Sequence, residues 1–167
     1  MPITLPSKTI EPWLRKAVED AFPGAPYAVM ESWLIDLANE LGYPGPHWEP
    51  EIGPMALWKR VRWEHRLVHS AELSTESLDI LGRMAVEYRS GPTAKVVTRD
   101  GRNRIQSIET FLKETGTLPY PPTLSTFLGS RRNLDGFMLV DGSHRWLAWA
   151  NTHGTNPVEC WVANVPT

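Results

Sequence analysis

The chain has 167 residues, a single cysteine (Cys160) and a formal net charge of −2. This suits one domain, or one small domain with a sizeable attachment, and excludes an intramolecular disulfide or a multi-cysteine zinc site. No apolar run approaches the roughly 18 residues of a membrane span, and Met1-Pro2-Ile3-Thr4-Leu5-Pro6 lacks the basic and apolar regions of a secretory signal, so a cytoplasmic protein without a membrane span is expected.

Residues 9–22 read as a helix, with Pro12 in its first turn and Leu14, Ala17, Val18, Ala21 and Phe22 as its stripe. Met30, Trp33, Leu34, Leu37, Ala38 and Leu41 recur at helical spacing, closed by Gly42. The proline- and glycine-rich stretch 42–54 reads as a loop held by packing. Helices are expected from about Met55 to Ala71 and from Thr75 to Arg89, where Gly91-Pro92 stops the second. After residue 92 the pattern changes to mixed α/β. Ala94–Thr98 reads as a short strand, Arg99–Arg104 as a basic turn and residues 105–115 as a helix. Strands are expected at Thr123–Leu128 and Phe137–Val140 around a turn at Arg131–Gly136. A helix at Ser143–His153 and a last strand at Val158–Val162 complete the chain. There is no internal repeat.

The sharpest local feature is Phe137-Met138-Leu139-Val140-Asp141-Gly142-Ser143-His144-Arg145, an apolar strand running through a tight turn straight into a helix. The first N–H groups of such a helix have no internal partners, and its dipole favours an anion. Gly142 allows close approach, Ser143 offers a hydroxyl, His144 two ring nitrogens and Arg145 a fork of donors. Asp141 suits a divalent cation, a proton acceptor or a helix cap. A helix terminus contributes roughly 0.3–1 kcal/mol and each charge-assisted hydrogen bond roughly 1.5–3 kcal/mol. The turn together with Arg145 and His144 is then worth about 4–6 kcal/mol, a millimolar to tens-of-micromolar phosphate site.

The run from the helix at 105–115 through two strands, Asp141–Arg145, a helix, Gly154 and Pro157-Val158 resembles the ParB/sulfiredoxin superfamily over about residues 93–164. Its members share an apolar strand, a D-G-x-H-R-like turn, a helix with small residues, then glycine and a final strand. Sulfiredoxins carry a nucleophilic cysteine immediately before the His-Arg pair, where this chain has Ser143, and this departure argues against sulfinic-acid reduction. The small single-domain members, among them plasmid fertility-inhibition proteins described as ATPases and DNases, are the nearer likeness. The resemblance implies binding of ATP or another nucleotide, with Mg2+, and inhibition of conjugative or type IV DNA transfer.

The expected architecture is α+β: a helical N-terminal region, 1–92, and a ParB/sulfiredoxin-like phosphate-binding domain, 93–167. Asp141 is the candidate catalytic and metal-binding acid, with Glu109 as second carboxylate, because metal-assisted phosphoryl transfer usually needs more than one. Gly142, Ser143, His144 and Arg145 are the candidate phosphate ligands, joined by Arg131 and Arg132 from a neighbouring basic turn. On a helix at 55–71, Lys59, Arg62 and Arg66 would form one basic stripe able to track a DNA backbone. Two other readings are a non-catalytic module blocking a secretion, coupling or partition ATPase through its Trp-rich N-terminal helices, and a small-molecule kinase. Neither a Gly-x-Ser-x-Gly elbow nor a P-loop is present, so a serine hydrolase or P-loop NTPase is not expected.

Overall fold

The computed structural model describes residues 11–42, 46–90 and 97–166. It is an α+β fold with a helix-rich N-terminal part and a four-stranded mixed sheet. The helices are α1 (Pro12–Ala21), α2 (Tyr27–Val29), α3 (Ile35–Leu41), α4 (Glu49–Ile52), α5 (Met55–Trp58), α6 (Thr75–Ser90), α7 (Arg99–Thr115) and α8 (Ser143–His153). A π-helical turn, Met30–Leu34, joins α2 to α3. The strands are β1 (Arg62–Val68), β2 (Thr123–Ser125), β3 (Met138–Asp141) and β4 (Val158–Asn164), ordered β1-β4-β2-β3. Strand β4 runs antiparallel to β1 and parallel to β2, and β2 and β3 form an antiparallel hairpin.

Alternation along the strands splits the core. Leu124, Leu139, Val158, Cys160 and Val162 meet Leu81 of α6 and Trp146 of α8 on one face. Ala163, with Trp63, Val140 and Trp161, meets the N-terminal helices on the other. Beyond α6 and α8, α7 adds Ile105, Ile108 and Leu112 against Leu147 and Ala148. The N-terminal side is built on aromatic rings. Trp58 lies 4.8 Å from Phe127, 5.5 Å from Phe22 and 5.5 Å from Trp33, centroid to centroid, and its indole N–H donates to Ile52 O at 2.8 Å. Five tryptophans (33, 48, 58, 63 and 161) are thus spent in or against this core, and Trp13 is the strongly exposed one.

Three expectations are corrected. The helix read over 55–71 ends at Trp58, and Arg62–Val68 is strand β1 paired with β4. Period-two alternation (Trp63, His65 and Leu67 against Arg62, Glu64 and Arg66) competes there with the 3.6-residue reading, and pairing with a distant strand decides it. The boundary near residue 92 consequently does not part helices from sheet, since β1 is a strand of the same sheet. The loop at 42–54 contains a 3-10 turn, Pro46–Trp48, and α4, anchored by the fully buried Trp48. The basic turn Arg99–Arg104 is the first part of α7, capped by Thr98 Oγ1, which accepts from Gly101 N at 3.0 Å. Of the strand read over 94–98, residues 94–96 lie outside the described residues, and Val97 and Thr98 lead into the α7 cap.

Candidate functional site at the β3–α8 turn

Strand β3 delivers Asp141 to the sheet end, and Gly142, at φ 97°, turns the chain into α8. A Cβ at Gly142 would lie 3.0 Å from both Arg145 Nη2 and Pro122, so this position needs glycine for space as well as conformation. Glycine at the N-cap has no side chain with which to cap the helix. The first intrahelical bond runs from Trp146 N to Gly142 O at 2.8 Å, and the amides of Ser143, His144 and Arg145 precede it, the arrangement that favours an anion.

Arg145 is 8% exposed and turned inward. Nη1 donates to Tyr120 O at 3.1 Å and Pro121 O at 2.9 Å, and Nη2 donates to Asp141 Oδ2. The Asp141–Arg145 pair therefore clasps the 120–122 segment onto α8, and the expected fork toward phosphate is engaged inside the protein. His144 packs over Gly101 of α7, where an added Cβ would fall 3.0 Å from its Nε2. Burial first, then the positive charges of Arg104 and Arg145, hold the imidazole pKa below 6.5, so the ring is neutral at pH 7.

These groups line a cavity of about 800 Å³, within the size range of small-molecule sites. Its wall gathers the Asp141–Arg145 turn, Arg104 of α7, Tyr120, and Ser32 and Asp36 from the π-turn and α3. Asp36, Ser32 and Tyr120 were not singled out by sequence. Ser32 and Asp36 stand four apart, hence on one helix side, yet nothing local ties that side to a turn a hundred residues away. Arg104 was visible only as part of a basic cluster. Its neighbour Arg102 is used elsewhere, donating to Glu87 O at 3.1 Å and stacking 4.9 Å over Tyr88.

The remaining sequence candidates lie apart from this cavity. Glu109 accepts from Asn151 Nδ2 at 3.0 Å and lines a separate hollow with Lys113 and His153. Arg131 and Arg132 sit in the β2–β3 hairpin loop, at the end opposite the Thr123–Asp141 pair, and Arg131 pairs with Glu76 at 3.3 Å. Arg66 pairs with Glu72 at 2.7 Å, Arg62 opens β1 and Lys59 follows α5, so the helical basic stripe does not form. In the same hairpin loop as Arg131, Asp135, which is not a candidate, caps α6, accepting from Thr75 N at 3.0 Å and from its hydroxyl.

Among the described residues no three His, Cys, Asp or Glu side chains gather as a metal-ligand group, and no helix is long and apolar enough to cross a membrane. Fold and cavity define an α+β protein with a pocket of mixed polar and apolar lining where a strand end meets a helix N-terminus. No family model matches the chain, and neither a curated protein nor a solved structure matches it.

Proposed function

We propose that the cavity binds a phosphate-bearing small molecule, a nucleotide such as ATP, and supports phosphoester hydrolysis. The carrying observation is the convergence of the α8 N-terminus, Arg104 and His144 on one cavity of about 800 Å³. In this reading the phosphate lies on the Ser143–Arg145 amides beside Arg104. The neutral His144 ring takes the proton of the attacking water as its oxygen bonds to the terminal phosphorus, and ADP leaves with the bridging oxygen. Magnesium typically takes one or two carboxylates and completes its octahedron with water and phosphate oxygens. Asp36 and Asp141, the cavity's carboxylates, suit that mode and would hold it, and the ion would neutralise charge on the transferred group.

Arg66 is paired with Glu72, and Arg131 and Arg132 lie away from the cavity, which favours a mononucleotide over a DNA strand as ligand. The cellular role suggested by the ParB/sulfiredoxin resemblance, inhibition of conjugative or type IV DNA transfer, belongs to the same proposal. Calorimetric titration of ATP, ADP and inorganic phosphate, with and without Mg2+, tests the binding. Arg104→Ala should weaken ATP about tenfold or more, the loss of one charge-assisted hydrogen bond. Equal affinity in wild type and Arg104→Ala would remove the anion from this cavity. In a donor strain, Arg104→Ala with His144→Gln should restore transfer to the empty-vector level if the enzymatic reading holds.

A further inference from the structure

Strand β1 is an outer strand of the sheet, paired with β4 alone. In an antiparallel ladder, alternate residues aim both N–H and C=O toward the same neighbour. Trp161 N donates to Pro122 O at 3.0 Å, and Ala163 O accepts from Thr126 N at 3.1 Å. Both therefore bond toward β2, and their β1 partners His65 and Trp63 aim their peptide groups outward. Leu67, opposite Glu159, has the same parity. The outward bonding positions are thus Trp63, His65 and Leu67, centred on His65, and no neighbour among the described residues pairs with them.

Such an edge is usually blunted by proline, a bulge or unmatched charge. Here β1 carries no proline and pairs with β4 without interruption, and Leu67 is 61% exposed. Its charges also match themselves. Within the chain Arg66 pairs with Glu72 at 2.7 Å and Glu64 accepts from Asn164 Nδ2 at 3.0 Å. Turned about His65, Arg62-Trp63-Glu64-His65-Arg66-Leu67-Val68 also lays Glu64 opposite Arg66 of a second strand, and Arg66 opposite Glu64, so opposite charges meet twice across the contact. These two pairs occupy the non-hydrogen-bonded positions, where side chains approach most closely. Trp63 meets Leu67 twice on the other face, and every outward peptide group is used.

We propose that a second copy of this chain pairs with β1 across a two-fold axis at His65, joining two sheets into one continuous sheet. An isologous contact of this kind needs only the one self-complementary strand. The β3–α8 cavity takes no part, and of the aromatic core only Trp63, stacked on Trp58, borders the contact.

Light scattering coupled to gel filtration, over about 1–500 µM chain, tests this. The mass should rise toward twice 18.9 kDa as concentration increases. His65→Pro loses no backbone bond to β4, because its N–H faces outward, only the ring's contact with Glu159 Oε1 at 2.7 Å, and proline is tolerated on such an edge. This variant should stay monomeric throughout. Glu64→Arg and Arg66→Glu should each weaken the dimer about tenfold by setting like charges opposite. The double exchange should return to within about threefold of wild type. A wild type that stays monomeric overturns the proposal, as does a dimer that survives His65→Pro. If His65→Pro does not fold by circular dichroism, the charge series decides: failure of the double exchange to recover the dimer is then the overturning result.

Discussion

The imidazole of His144 occupies the space a side chain at position 101 would need: an ideal Cβ on Gly101 falls 3.0 Å from Nε2. This contact joins α7 to the start of α8 and sets one wall of the cavity. Alanine normally favours a helix over glycine by up to about 1 kcal/mol, so Gly101→Ala should alter stability by less than that. The ring must shift by a few tenths of an ångström, and ligand affinity should fall while the melting temperature hardly moves. Calorimetric titration beside a thermal melt separates the two effects.

Arg145 is a stability residue before it is a ligand-binding one. Arg145→Ala would leave Asp141 and the Tyr120 and Pro121 carbonyls without their guanidinium partner. Breaking a buried pair from one side costs about 3–5 kcal/mol, and urea denaturation should show a loss of that order. Arg145→Lys, with one ammonium in place of a planar fork, should fall between the two. A variant that loses ATP binding at unchanged stability would contradict the clasp.

The pH dependence of stability should carry a His144 component of known sign. Its folded pKa lies below 6.5 through burial and the nearby Arg104 and Arg145. Between the folded value and 6.5 the unfolded chain binds the extra proton, so stability rises with pH in that window. The contribution is complete above 6.5 and is lost as pH falls toward the folded pKa. His144→Gln should flatten this limb of a urea-midpoint profile taken across pH 5–7.5, the range in which an ordinary histidine titrates.

How much of this was legible in the sequence depended on the range of the interactions. Strand β3, Gly142 and helix α8 were readable because apolar run, glycine and helix periodicity are local signals, and Ser143–His153 matches its expected bounds. Strand β1 was not, because its identity is settled by Val158–Asn164, roughly a hundred residues on. Gly101 misled for a related reason. It resembles a turn glycine, yet it lies in α7 to make room for His144, a contact that sequence does not display. The same holds for Asp36, which reaches the cavity only through packing of the N-terminal helices on the sheet.

Arg145 also illustrates how motif chemistry can change with burial. As a string, Asp141–Arg145 offers a carboxylate and a guanidinium to a ligand. Folded, the two hold each other, and the exposed cation at the cavity is Arg104. In ATP titrations, Arg104→Lys should recover part of what Arg104→Ala loses, because the charge is kept and the fork is not. Identical affinities for the lysine and alanine variants would mean that charge at position 104 contributes nothing to binding.

Cys160 should be chemically silent in the folded protein. It lies fully buried in β4, and its thiol accordingly donates inward, to Val158 O at 3.4 Å. Burial pushes its pKa up to about 12. Since only the thiolate attacks, about one molecule in 10⁴ would be reactive at pH 8 even before access is considered. Alkylation by iodoacetamide at pH 8 should therefore be undetectable on the timescale that labels a free thiol in seconds to minutes, and should appear in step with unfolding as urea is added. In the fold this thiol packs with Leu124, Leu139, Trp146 and Val162. Ser143→Cys would place a thiol at the helix N-terminus, where the dipole favours its thiolate, and should label readily while Cys160 stays protected. Fast labelling of Cys160 in native wild type would show that β4 opens without global unfolding.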